Sequence, residues 1–160
     1  MYNEEITIVP CKEEYVEDCV RISIEAYEYI HECYMELMSE QLHEGIMGNW
    51  RENKAVGIRE QQLGENAYVA IIDGKVAGFI AFRVKNDVGV ILNNAVDSQF
   101  RGKGVGNRMY EFVFEKMREQ GALYASVSTG GDDGHAPARK AYERAGFTHW
   151  RPSRTYYRKL

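Results

Sequence analysis

The ten residues from Gln99 to Arg108 read Gln-Phe-Arg-Gly-Lys-Gly-Val-Gly-Asn-Arg, setting three glycines among the cations Arg101, Lys103 and Arg108. Glycines at 102, 104 and 106 let a backbone approach a ligand closely and turn successive N–H groups toward it. A helix starting directly after them adds its positive end. The chemistry these residues suit is phosphate binding. A surface loop in which glycines merely turn the chain is the competing account. Two familiar phosphate loops do not fit: no Ser or Thr follows Gly102-Lys103, and Met109 stands where the third glycine of G-x-G-x-x-G would fall.

A second group lies near the C-terminus, in Ala138-Arg-Lys-Ala-Tyr142-Glu-Arg-Ala-Gly146-Phe147. Ala138, Tyr142 and Gly146 recur at the spacing of one helix face, and Gly146 is placed to end the helix. An amphipathic helix packing Tyr and Ala on a sheet explains the same spacing. His135 and Pro137 precede it, with Pro137 in the first turn, where a missing N–H costs little. Asp132 and Asp133 lie in Gly-Gly-Asp-Asp-Gly, which reads first as a polar loop.

The elements that must position these residues follow from periodicity and turn chemistry. Ile6 to Val9 reads as a strand ended by Pro10. Tyr15, Val16, Cys19, Val20, Ser23, Ile24 and Tyr27 form one helical stripe, continued less regularly to Leu42, which predicts two helices with a break between Tyr27 and Ser39. Trp50 to Gly64 is a weaker helix. Ala67 to Ile72 and Lys75 to Val84 flank Asp73-Gly74, a hairpin signal. Asn86-Asp87 then turns the chain into a third antiparallel strand ending at Val96. After the glycine loop, Val105, Met109, Phe112, Val113 and Met117 mark a helix capped by Gly121. Leu123 to Thr129 alternates as a fifth strand, Ala136 to Ala145 is a short helix, and Phe147–Trp150 and Thr155–Leu160 are predicted closing strands.

The remaining pattern, Arg101-x-x-Gly104-x-Gly106, resembles the pyrophosphate-binding signature of the GNAT acyltransferases, and the Ala138 to Phe147 run resembles their A-x-x-x-Y-x-x-x-G-F segment. The resemblance spans about Ile6 to Leu160, and His135-Ala-Pro-Ala-Arg139 resembles a variant in a subset of the family. It implies an α/β (α+β) GNAT fold: a mixed, mostly antiparallel sheet of about seven strands flanked by helices, with one parallel β-α-β crossover at the cofactor loop. Acetyl-CoA is the implied acyl donor, with no metal, and the implied reaction is direct N-acetyl transfer to a primary amine of a small molecule or protein.

By that resemblance the cofactor lies against Asn94, Ala95 and Val96, with an N–H of Ala95 or Val96 polarising the thioester, and its diphosphate sits on Arg101, Gly102, Lys103, Gly104, Val105, Gly106 and Asn107. His135, Ala138 and Tyr142 complete the cofactor site, and Tyr142 is the catalytic acid for the departing thiolate. Many members carry Asn where His135 stands. Contact with the pantetheine arm ranks ahead of acid–base chemistry for it, and helix capping or solvent contact is the plainer account. Tyr27, Tyr29, His31, Tyr34, Met35, His43 and Trp50 fall where acceptors are commonly walled, although aromatics at helical spacing also simply pack. Cys19 and Cys33 read as buried thiols.

The chain of 160 residues, 44% hydrophobic, suits a single domain over 1–160. Its net charge of −4 argues against nucleic acid as partner. No apolar run approaches a membrane span, the acidic start from Met1 to Glu5 does not read as a signal peptide, and three cysteines without a CxxC pair suit a cytoplasmic protein. The oligomeric state stays open, a homodimer included. The competing functional readings are a CoA-binding regulatory module without transferase activity and a nucleotide-binding domain.

Overall fold

The computed structural model describes residues 5–160; residues 1–4, part of the acidic start, lie outside them. Strand β1 (Thr7–Pro10) leads into three helices, α1 (Glu13–Met38), α2 (Glu40–Met47) and α3 (Trp50–Gln62). Strands β2 (Ala67–Ile72), β3 (Lys75–Lys85) and β4 (Val88–Val96) follow, then α4 (Val105–Glu119), β5 (Tyr124–Val127) and α5 (Ala136–Arg144). The apolar stripe keeps α1 continuous, with Val16, Cys19, Val20, Ser23 and Ile30 buried along it. The predicted break falls at Ser39, whose φ of 73° ends α1 and whose hydroxyl accepts the Leu42 N–H at the start of α2.

The sheet runs β1-β2-β3-β4-β5, with β1 to β4 antiparallel and β5 parallel to β4. Asp73 and Gly74 both take positive φ, 48° and 74°, as a two-residue hairpin of matching twist requires. One face of the sheet packs Ile80, Phe82 and Ile91 against Met109, Tyr110, Val113 and Met117 of α4. The other packs Val69, Val76 and Phe79 against Cys19, Val20 and Ile22 of α1 and Ala55 and Ile58 of α3. Gly78 lets α4 lie close, since a Cβ there would stand 2.9 Å from the Ala95 carbonyl and 3.1 Å from Met109.

The sheet has five strands, not about seven. Phe147–Trp150 and Thr155–Leu160 carry no element, and Trp150 is 84% exposed. Their β-favouring residues pair with no strand of the sheet, and propensity without a paired neighbour does not make a strand. Among the described residues no helix is long and apolar enough to cross a membrane.

Candidate active site

The site starts from a mismatch between β4 and β5. They pair from Val88↔Tyr124 to Ile91↔Val127 and no further, while β4 continues to Val96. Leu92 to Val96 therefore present an edge that β5 does not cover. The Asp97 N–H donates to Ala77 O on β3, at 2.9 Å. Strand alternation then turns the Ala95 N–H toward β3 and those of Asn94 and Val96 toward the uncovered edge. Of the two residues named for thioester polarisation, Val96 has its N–H on that edge.

Side chains from three elements meet beside it. Tyr110 of α4 donates its hydroxyl to Asn94 Oδ1 at 2.8 Å, and Asn94 Nδ2 donates to the Tyr142 hydroxyl of α5 at 3.1 Å. Asn94 satisfies both of its polar ends within this chain of bonds. Because the Tyr142 oxygen accepts, its own proton remains available to a further acceptor. Burial raises the Tyr142 pKa against a smaller lowering by the Asn94 bond, so the phenol stays protonated at neutral pH.

At the end of β4 the chain enters the glycine loop. Gly102 and Gly104 have φ of 77° and 83°, and a Cβ on either would point into open space. Gly104 is the N-cap of α4 and has no side chain with which to cap it, so that end of the helix suits an external acceptor. Arg101, Lys103 and Asn107 are exposed around it, with Asn107 bonded to Glu111 at 3.0 Å. Val105 has its side chain buried in the core, which leaves only its backbone to the loop surface, and Gly106 sits between Val96 and Tyr110. The loop is anchored by Asp97, which is 2% exposed and accepts from the Gln99 N–H at 2.9 Å and Arg21 Nη2 at 2.8 Å. Burial alone would raise the Asp97 pKa; these donors and the nearby Arg101 hold it below its ordinary value.

The Gly-Gly-Asp-Asp-Gly segment is more than a polar loop. The Asp132 carboxylate accepts from His135 Nδ1 at 2.7 Å, both side chains being nearly buried. Arg139 Nη1 holds the loop by donating to Gly130 O at 2.7 Å and Asp132 O at 2.6 Å. Any Cβ at Gly130 would strike Asp132 and His135, and one at Gly134 would stand 2.8 Å from Ile30 Cα of α1. His135 occupies the N-cap position of α5 without a side-chain capping bond, and it is not solvent-facing. Its ring lies edge-on to Tyr27 at 6.3 Å and 6.0 Å from Tyr34. Tyr34 is pushed up to about 12 by burial and by nearby Asp132. Ala138 lies one turn before Tyr142 on α5.

Of the residues named as acceptor walls, Tyr27, His31 and Trp50 line a cavity of about 330 Å³ together with Ile46, Met47, Asn53 and Lys54. His31 stacks on Trp50 at 4.0 Å and shares a 2.8 Å hydrogen bond with His43. Tyr29 is exposed instead. A cavity of about 370 Å³ between α4, β5 and the end of α5 holds none of the site residues. Cys19 is wholly buried, and contact with the Cys11 thiol together with burial raises its pKa, which leaves it inert.

Sequence reasoning missed the Asp132–His135 pair and Lys54. An Asp three residues ahead of a helix-starting His was the available signal for the first. Lys54, in a polar helix, carried none. Among the described residues no group of His, Cys, Asp or Glu is arranged to hold a metal ion.

The model of the acetyltransferase (GNAT) family matches residues 24–147. The chain is 34% identical over 99 residues to N-acetylaspartate synthetase of Rattus norvegicus, a match covering 58% of this chain and 31% of that protein. The match thus spans about a third of the length of the curated relatives. Among solved structures, the PaiA N-acetyltransferase of Thermoplasma acidophilum in complex with coenzyme A superposes with a TM-score of 0.67 at 18% identity, covering 90% of each chain. The ribosomal-protein-S18-alanine N-acetyltransferase of Escherichia coli also gives 0.67, at 20% identity, covering 97% of this chain and 85% of that one.

Proposed function

Because the chain belongs to the GNAT acetyltransferase family, we propose that it transfers the acetyl group of acetyl-CoA directly to a primary amine of a small molecule or protein. The observation that carries this reading is the uncovered β4 edge with the Tyr142 hydroxyl beside it, at the end of the strand that leads into the glycine loop. The diphosphate rests on the α4 N-terminus and the N–H groups of residues 102 to 107, with Arg101 and Lys103 adding charge. The pantetheine arm extends along Asn94 to Val96 as an added strand, between the loop and Ala138 and His135 on the other side.

The Val96 N–H donates to the thioester oxygen as negative charge grows there. The amine nitrogen attacks the carbonyl carbon, the C–S bond breaks, and the electron pair leaves on sulfur. Tyr142 donates its free hydroxyl proton to that sulfur. A phenol raised by burial above the ordinary value of about 10 is a weak acid toward a thiolate whose thiol has pKa about 8.5, so a strengthening hydrogen bond carries most of the benefit. The amine must also shed a proton. Asp132 accepts from His135 Nδ1, so in the neutral ring Nε2 is the nitrogen that can accept. This arrangement suits His135 to take the amine proton better than to donate to the pantetheine arm.

A thiol-release assay with acetyl-CoA across a panel of amines tests the proposal. Thiol release confined to one class of amine is the expected result. Tight CoA binding with no release for any amine would favour a CoA-binding module.

A further inference from the structure

Lys54 has no part in the chemistry above, yet α3 holds its ammonium beside it. Nζ donates to Asn93 Oδ1 at 2.8 Å and lies 3.5 Å from the centroid of the Tyr27 ring. Among the described residues no carboxylate forms an ion pair with it. Its neighbour Arg51 is fully engaged by Glu28 through bonds of 3.0 and 2.6 Å, and Arg59 by Glu17 through bonds of 2.7 and 2.9 Å. Burial without a counter-anion lowers the Lys54 pKa to about 8, so the group remains mostly a cation at neutral pH. An ammonium has three donors. Asn93 uses one and the ring face takes part of the charge, which leaves donor capacity for the cavity that Lys54 lines with Tyr27, His31, Trp50 and Asn53.

The position relative to the transfer site is set by β4. Asn93 turns to Lys54 and Gln61, whereas Asn94, the next residue, turns to Tyr110 and Tyr142. Consecutive strand residues rise only about 3.3 Å, on opposite faces. Tyr27 joins the two sides, since its ring carries Lys54 on one contact and approaches His135 on another. A small molecule reaching from one side to the other would hold an anionic group at Lys54 and present its other end to the thioester.

We propose that Lys54 docks a carboxylate of the acceptor, so that the substrates are amino acids or other small amines that carry an acid group. The proposal rests on the transferase reading for the acceptor's role and on the cavity alone for the binding of the acid. A planar carboxylate can take the free N–H of Lys54 while its hydrocarbon portion lies along Tyr27 and Trp50.

The test pairs L-amino acids with the same molecules after every carboxyl group is converted to carboxamide. Binding to the CoA-saturated protein is measured by calorimetry, and thiol release from acetyl-CoA is measured in parallel. The expected result is that at least one acid binds and reacts about ten- to a hundredfold better than its amide, as a charge-assisted hydrogen bond implies. That preference disappears in Lys54→Met and survives in Lys54→Arg. Equal use of acids and amides by the wild-type protein would overturn the proposal without any variant, while leaving the transferase reading intact. An undiminished acid preference in folded Lys54→Met would overturn it as well. Acid binding that depends on Lys54, with no thiol released, would support the docking site and sink the transferase reading instead.

Discussion

Asn94 and Tyr142 stand 48 residues apart in the chain and are joined by a 3.1 Å hydrogen bond in which the amide donates to the phenol oxygen. The direction of that bond decides what Tyr142 can do. An oxygen that accepts from Asn94 keeps its own proton for something else, and Tyr110 fixes the amide orientation by donating to Asn94 Oδ1.

Tyr142→Phe is expected to lower kcat by about 10²–10⁴-fold while the acetyl-CoA dissociation constant stays within a factor of a few. The ring continues to pack against Tyr110 and Phe147, so the melting profile should hold. Asn94→Leu removes the orienting donor and should lower kcat by about tenfold or more. Near-wild-type turnover in Tyr142→Phe at saturating acetyl-CoA would make Tyr142 a packing residue.

Two glycine variants separate backbone strain from cofactor contact. Gly104 has φ of 83°, where a Val is strained by more than the ~1–2 kcal/mol typical of an L-residue in the left-handed region, so Gly104→Val should lose CoA binding through a distorted loop. Gly106 lies within α4, and a Cβ there would stand 3.7 Å from Val96 and 3.9 Å from Tyr110, which is ordinary contact. Gly106→Ala should therefore melt like the wild type, and any fall in its CoA affinity reports on the ligand alone. Calorimetry finding near-native CoA affinity in folded Gly104→Val would remove the loop from the site.

His135 and Asp132 are expected to act together. His135→Asn should cut turnover by about 10²-fold or more with CoA affinity retained, and Asp132→Asn should reproduce part of that loss by releasing the ring. The double variant should be no worse than His135→Asn, since residues acting as a unit are not additive. Retention of most activity in His135→Asn would return His135 to the role of a pantetheine contact.

His31 predicts a stability loss on mild acidification. Burial first, then the neighbouring His43 and Arg51, lower its pKa to about 4, against about 6.5 in an unfolded chain. Between those values the unfolded chain binds the extra proton, so stability is complete above about pH 6.5 and falls as pH drops toward 4. The full effect is on the order of 3 kcal/mol. Urea melts of wild type and His31→Gln at pH 7 and pH 5 would check it. An equal pH dependence in both proteins would assign the loss to other groups.

Much of the fold was legible because its signals are local. Asp73-Gly74 set the hairpin wherever β2 and β3 ended up, Gly121 and Gly146 took the positive φ that follows a helix, and the stripe from Val16 to Ile30 specified one face of α1. The turns at Gly102 and Gly104 were equally readable, since both take the positive φ that glycine allows.

The closing strands were misjudged for the complementary reason. Phe147–Trp150 has strand-like residues, but a strand exists only where it pairs with another, and this segment pairs with none of the sheet's strands. The early end of β5 at Val127 leaves Leu92 to Val96 uncovered, a gap that no local signal in the sequence announces.

The sequence by itself determined most of the elements, their order and the glycine-and-cation make-up of the loop, because periodicity, turn residues and charge act over a few neighbouring positions. Only the tertiary structure decided which side chains meet. The Asn94–Tyr142 bond, the Asp132–His135 pair beneath Arg139, and the placing of Lys54 between Asn93 and Tyr27 depend on strand alternation and on how closely α1, α3 and α5 approach the sheet. An Asn, an Asp or a Lys looks the same in a sequence whether water or another side chain completes its hydrogen bonds. Burial is what distinguishes them, since it removes the water and makes the remaining partner set the group's orientation, its proton and its charge.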